Sequence, residues 1–426
     1  MEIGIDMKNK EYFKKTIYKN GNVLSMKTDG ISYHTDIVVE KGVITEIRKN
    51  AAAEYEDTGL VDCTGKYLMP SLFDSHAHLN SSEMCSLFIA NGITSIRHLS
   101  GGSRVKKYSE EIMNGERIGP YVYSSGLIYD GWDAKEKFEG HVYLSTVEEA
   151  EKAVYDTIES GYQWVKTYPS ISPEQLKRLM DTANACGIKV CGHMSYFVDA
   201  KELRDWGYHC CEHSSSLPKH ESDVIYLAKS GMWFCPTQVV CETLPDYVWN
   251  GKKLSDLKNY EYVPGLIRRF WEERNEKIIK GYKNRGLRPD INVIIERGKT
   301  FMEHSNRYLA GSDTMYPGMI AGFSLHDELC KLVELYGRTP YEALEAATVN
   351  PSVYCGSEDS KGTLAKGKDA DILILDKNPL ADIRNTKTIY GVIQGGRYFN
   401  RQELDRLLEG VRALPDEKLE IFERLF

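Results

Sequence analysis

The sequence predicts a (β/α)8 barrel accompanied by a small β module built from both ends of the chain. Three observations carry this. The length of 426 residues exceeds one ordinary small core and suits a large barrel with a smaller companion. A long middle region alternates short apolar runs with stretches of helical period, the rhythm of repeated βα units. The two ends share a different texture, short β-rich runs broken by glycine.

Near the start, Tyr33 to Glu40 and Val43 to Ile47 flank Lys41-Gly42, and their apolar positions largely alternate, as in a hairpin. At the other end, Asp369 to Leu375 and Ile389 to Phe399 return to that pattern. The expected division is residues 1–69 and 362–426 for the β module and 70–361 for the barrel. Candidate barrel strands are Leu72 to Asp74, Ile93 to Ile96, Tyr121 to Tyr123, Trp164 to Lys166, Ile188 to Cys191, Cys210 to Glu212, Trp233 to Cys235 and Tyr308 to Ala310. Eight such units match the barrel. Residues 245–305, between the last two strands, are long, charged and helical in pattern, either a lid or an elaborated barrel helix. There is no internal repeat and no low-complexity tract.

Composition removes several functions. With 54 basic and 62 acidic side chains the net charge is −8, and no basic block exists to grip a phosphate backbone. Nucleic acid is excluded as a partner. No window offers the roughly 20 apolar residues of a membrane span. Met1 to Gly21 mixes Glu, Asp and Lys and has no apolar run of signal-peptide length. The ten cysteines form no CxxC pair, and Cys210 and Cys211 are adjacent. They read as free thiols in a reducing, cytoplasmic setting. A homo-oligomer is compatible with all of this.

The chemistry lies in a constellation. His76 and His78 form Asp74-Ser-His-Ala-His at the end of the first barrel strand, and residues i and i+2 on a strand share a face, so both imidazoles can reach one ion. Lys166 closes Trp164-Val-Lys, His193 closes Ile188-Lys-Val-Cys-Gly-His, and His213 closes His209-Cys-Cys-Glu-His. Asp313 ends Leu309-Ala-Gly-Ser-Asp. Alone, a lysine is ordinarily solvated and a histidine ordinarily a hydrogen-bonded core residue. Together, six potential ligands at the carboxyl ends of five strands converge on one mouth.

With these residues the chain resembles the amidohydrolase superfamily of metal-dependent hydrolases. The resemblance runs from Met69-Pro-Ser-Leu-Phe-Asp-Ser-His-Ala-His-Leu79 to Lys361-Gly-Thr-Leu-Ala-Lys-Gly-Lys-Asp-Ala-Asp-Ile372. It implies a β-sandwich built from both termini beside the barrel. Trp164-Val-Lys-Thr-Tyr168, His326-Asp-Glu-Leu329, Ala346-Ala-Thr-Val-Asn-Pro351 and Asn378-Pro-Leu-Ala-Asp-Ile383 resemble the imidazolonepropionase-like branch, which includes Xaa-Pro dipeptidases (prolidases) and carboxypeptidases. The resemblance implies two divalent metal ions, with zinc the default, bridged by a carbamate formed from Lys166 and CO2. That reaction needs the neutral amine, hence an apolar, metal-facing setting. His76, His78 and Asp313 would serve one ion, His193 and His213 the other. Asp313 would orient a metal-generated hydroxide, act as general base and return the proton to the leaving amine.

Deaminases of the superfamily carry Glu three residues after the strand-five histidine, where this chain has Tyr196, which argues against deamination. Tyr196 either donates to the oxyanion or packs at the barrel rim. His141 is a candidate substrate contact, and Arg97-His98 replaces the Arg-Asp of the branch. His326 reads as structural, with a pocket role as the alternative. The expected substrate is a small molecule or dipeptide. The leading expectation is hydrolysis of an amide or peptide bond near a free carboxylate, an Xaa-Pro dipeptide or N-acyl amino acid. Opening of a cyclic amide and a catalytically silent small-molecule-binding barrel are the alternatives. A cation facing the metals would favour the carboxylate substrate, and an enclosed neutral pocket the ring.

Overall fold

The computed structural model describes residues 15–55, 58–79, 81–286, 290–314 and 316–419. Most of the Met1 to Gly21 segment therefore lies outside the described residues. Parallel strands pair in chain order as Leu72–Ala77, Ile93–His98, Tyr121–Gly131, Trp164–Thr167, Lys189–Gly192, Cys210–Glu212 and Trp233–Cys235. Tyr308 to Ala310, expected as the eighth strand, lies in an extended segment held by single bridges. Tyr308 bridges Phe234 and, farther along, Thr314 bridges Ala77. The Leu309 amide donates to the Phe234 carbonyl at 2.9 Å and the Ser75 amide to the Ala310 carbonyl at 2.8 Å. This segment closes the barrel between its seventh and first strands, as a (β/α)8 architecture requires.

Strand parity sorts the side chains. Trp164, Cys191, Cys210, Trp233 and Leu309 form a cluster with Tyr354 inside the barrel. Their neighbours Val165, Val190, Cys211, Phe234 and Ala310 belong to the core shared with the surrounding helices. Inside, Trp164 stacks on Tyr354 at 5.5 Å and the Arg97 guanidinium lies 4.7 Å from the Tyr354 ring. Two residues onward from this layer come Lys166, His193 and Glu212, nearer the carboxyl ends. The helices are fixed by local chemistry. Capping boxes at Thr146 and Ser172 start helices Val147–Glu159 and Pro173–Cys186, the latter with proline in its first turn.

The terminal strands form one continuous eight-stranded sheet joining Lys15–Leu24, Ile31–Glu40, Val43–Arg48, Gly59–Asp62 and Tyr67–Pro70 with Ile372–Leu375, Ile389–Gln394 and Arg397–Asn400. The sheet folds over a core of its own containing Tyr18, Ile37, Ile44, Leu68, Ile372 and Ile393. Backbone bonds from Ile44 to Lys368 and from Ala370 to Gly42 tie its two ends together.

The long segment before the closing strand forms helices Gln238–Trp249, Gly265–Arg285 and Ile291–His304. Trp249, Arg274 and Ile294 from these helices line the cavity at the barrel mouth. Among the described residues, no helix is long and apolar enough to cross a membrane.

Candidate active site

Five of the six sequence-nominated ligands line one cavity of about 280 Å3: His76, His78, His193, His213 and Asp313. Donor atoms of His76, His213 and Asp313 lie within 4.8 Å of one another. Nε2 of both His76 and His78 is 3.3 Å from Asp313 Oδ1. The His193 ring is 4.5 Å from that of His213, which is 4.7 Å from that of His76. Lys166, the sixth, is 1% exposed beneath them, and no described residue bonds to its Nζ.

Backbone geometry explains the convergence. His76 and His78 follow strand parity, but His213 directly follows the inward-facing Glu212, and alternation alone would turn its side chain outward. His213 instead has φ 69° and Asp313 φ 53°, the left-handed region, which turns the chain at both strand ends. Gly311 is required for a close approach. A Cβ there would stand 2.6 Å from the His76 Cβ and from Cys235 Sγ. Asp74 fastens the same junction, its carboxylate accepting from the Ser312 amide at 3.0 Å and from the Ser312 hydroxyl at 2.5 Å.

Outer hydrogen bonds orient the rings. His76 Nδ1 donates to Glu212 at 2.8 Å, which leaves Nε2 for the cavity. His213 Nδ1 pairs with the Thr237 hydroxyl at 2.7 Å. Thr237 precedes helix Gln238–Trp249 yet does not cap it. Glu328 reaches across to accept from the Gln238 and Val239 amides at 3.0 and 2.8 Å. Burial holds the imidazoles neutral, with His78 pushed down to about 3 and His76, His193 and His213 well below their ordinary range. Burial also raises the Asp313 carboxyl to about 7, against the opposing pull of the Lys166 charge.

This donor set fits divalent metal ions. Neutral imidazoles and a carboxylate are the ligands such ions take. A buried amine with no bonding partner is costly in a protein interior, and so are the buried, unbonded Nδ1 atoms of His78 and His193. Lys166, His76, His78, His193, His213 and Asp313 are therefore the residues that would hold the ions.

Tyr196 stands apart from this cavity. It is 76% exposed and lines a neighbouring one, because the chain leaves the barrel after His193 and its amide bonds to the Pro169 carbonyl. Tyr168 stands beside the histidines in its place, its ring 4.3 Å from that of His193. His141 begins the short strand His141–Leu144 and lies behind Tyr168 at 4.6 Å, outside the cavity lining. His326 is structural, bonded through Nδ1 to the Thr386 hydroxyl and through Nε2 to the Asn91 carbonyl.

Tyr168, Glu212 and Arg274 escaped the sequence reading as site residues, and Arg97 was noted there only as part of Arg97-His98. Arg97 is fully buried, and its Nη2 donates to both oxygens of Glu212 at 2.7 and 2.8 Å. Strand parity could have found Glu212, two residues beyond the inward Cys210. Arg274 lines the cavity from helix Gly265–Arg285, with its guanidinium 4.6 Å from the Phe138 ring. Nothing in a helical repeat announces that placement.

Comparison with known proteins decides the family. The Amidohydrolase family profile matches residues 67–398. The chain belongs to the amidohydrolase family. It is a hydrolase acting on C–N bonds, in a family that generally uses divalent metals. Among this amidohydrolase's relatives, the ochratoxinase of Aspergillus niger is 25% identical over 401 residues, covering 78% of this chain and 75% of that one. A putative prolidase from Bifidobacterium longum superposes with a TM-score of 0.71 at 23% identity, covering 94% of this chain and 100% of that one. Bottromycin amidohydrolase gives 0.75 at 19% identity, covering 95% and 92%. These two structures share the amidohydrolase's fold.

Proposed function

We propose that this amidohydrolase holds two divalent ions, zinc by default, and cleaves an amide or peptide bond next to a free carboxylate. The substrate is an N-acyl amino acid or an Xaa-Pro dipeptide. Arg274 carries the reading, because it gives the cavity containing the candidate ligands a cation. A guanidinium matches a carboxylate geometrically and pairs with it in two parallel hydrogen bonds.

Bound divalent ions supply Lewis acidity and a hydroxide nucleophile near neutral pH. The chain's own residues do the rest. Arg274 fixes the substrate carboxylate and thereby sets which carbonyl faces the histidines. Asp313, at the closing end of the barrel, takes a proton from the attacking water and returns it to the departing nitrogen. An amine is a poor leaving group, so that return is as necessary as the attack. Tyr168 is half-buried between the two cavities, and desolvation of its phenol, reinforced by the Asp313 charge, keeps it above the ordinary range. It stays a donor at neutral pH, beside His193, for the carbonyl oxygen.

The test is metal analysis paired with a screen of N-acyl amino acids and Xaa-Pro dipeptides. Two ions per chain and turnover of carboxylate-bearing amides are expected. One ion per chain overturns the binuclear assignment, and hydrolysis confined to lactams overturns the substrate class.

A further inference from the structure

A second cavity of about 830 Å3 adjoins the first and shares Phe138, Tyr168 and His193 with it. Size makes it relevant. The first, at about 280 Å3, falls just below the range of roughly 300–1,000 Å3 that encloses drug-sized ligands. It accommodates an amino-acid half held by Arg274, and a bulky partner on the other side of the amide needs further room. His193 borders both spaces, so a carbonyl at His193 has its acyl substituent next to the larger one.

The lining indicates what that substituent is. Phe138, Tyr168, Tyr196 and Phe197 contribute aromatic surface. Tyr196 and Phe197 are 76% and 60% exposed and stand edge to face at 6.5 Å. Two adjacent large rings left open beside a catalytic cavity are a surface waiting to be covered. The charges are placed at odds with an anion. Asp133 and Glu136 border the cavity, with Lys135 as the cation among its lining residues. Asp130 adds a third carboxylate to the lining, its Oδ1 held by the Gly131 and Ser170 amides, both at 2.9 Å. The carboxylate end of the substrate thus goes to Arg274 and an uncharged aromatic end to the second cavity.

We infer that the second cavity is the acyl subsite and that the substrates are N-acyl amino acids with a bulky, uncharged aromatic acyl group. This rests on the amide-hydrolase reading above and narrows it. Water adds across the C–N bond, its hydroxyl going to the acyl carbon and its hydrogen to nitrogen, which releases an aromatic carboxylic acid and a free amino acid. Tyr196 and Phe197 are specificity residues.

The test has a binding arm and a kinetic arm, both on the full-length metal-loaded enzyme. Calorimetry with 2-naphthamide and acetamide should show binding of the first alone. Tyr196→Ala and Phe197→Ala should weaken it at least tenfold, and Tyr196→Phe should restore it. The ratio of kcat/KM for N-(2-naphthoyl)-L-phenylalanine over N-acetyl-L-phenylalanine should exceed ten and fall at least tenfold in Phe197→Ala. Naphthamide affinity indifferent to these substitutions, or a preference for the acetyl substrate, overturns the subsite. Naphthamide binding that follows the variants while no N-acyl amino acid is cleaved keeps the aromatic subsite and overturns the amide-hydrolase reading instead.

Discussion

Glu212 accepts a hydrogen bond from His76 Nδ1 at 2.8 Å, with both side chains buried, while Arg97 grips the same carboxylate from the other side. The carboxylate fixes the His76 tautomer and orients Nε2 toward the cavity, and Arg97 supplies the counter-charge to that carboxylate in the barrel interior.

Glu212→Gln should therefore lower metal affinity about 10- to 100-fold, read by competition with a chelator. Arg97→Gln should cost about 3–5 kcal/mol in denaturant unfolding, because a buried carboxylate loses its partner. The double variant removes both charges and should recover much of the stability but none of the metal affinity. Recovery of both would reduce Glu212 to a structural role.

Asp313→Asn keeps the shape of a ligand and loses the proton acceptor. Metal content should stay near that of the parent while kcat falls about 10²- to 10⁴-fold. Substantial turnover in that variant would remove Asp313 from the proton path.

Arg274→Met should raise KM for N-acyl amino acids at least tenfold, and Arg274→Lys should recover part of the loss. Substrates whose carboxylate is replaced by a primary amide should respond far less. An equal effect on both series would show that Arg274 shapes the cavity rather than binding the carboxylate.

Lys166 has no bonding partner among the described residues, and the sequence resemblance implies a carbamate at this position. Metal-stripped enzyme should regain activity faster when bicarbonate accompanies the metal. Lys166→Met should bind one ion per chain in place of two. Reconstitution independent of bicarbonate counts against the carbamate.

Glu328, buried against the start of helix Gln238–Trp249, has its carboxyl raised from 4.5 to about 8, chiefly by burial. The folded protein thus keeps a proton that the unfolded chain releases. The resulting stability is complete below about pH 4.5 and is lost as pH rises through about 8, at about 1.4 kcal/mol per unit. The unfolding free-energy advantage of the parent over Glu328→Gln should accordingly shrink from pH 5 to pH 8. A gap that widens with pH would mean the carboxylate is ionised in the fold.

Much of the barrel was legible because strand parity and βα spacing are local signals. They located the seven paired strands and the segment of the eighth, and they nominated His76, His78, Lys166, His193, His213 and Asp313 as candidates. What they could not supply was direction where the backbone leaves its regular geometry. The left-handed turn at His213 sends it inward beside Glu212, an adjacency that parity forbids, so Glu212 went unread. Tyr196 sits at the expected distance from His193 in sequence, yet the chain has already turned outward there, and Tyr168 occupies the place beside the ring. Arg274 reaches the cavity from a helix far along the chain, through tertiary packing that no short window encodes.

The helices between the seventh strand and the closing segment have a consequence for how this enzyme can diversify. The candidate ligands come from strand ends, whereas Trp249, Arg274 and Ile294 come from one uninterrupted stretch of chain. The candidate ligands and the guanidinium proposed to hold the substrate carboxylate are thus carried on separate pieces of sequence. Exchanging that stretch for its counterpart in a relative would change how the carboxylate end is held while leaving the candidate ligands and the aromatic second cavity in place, and drift within it can explore new amino-acid halves without passing through an inactive ancestor.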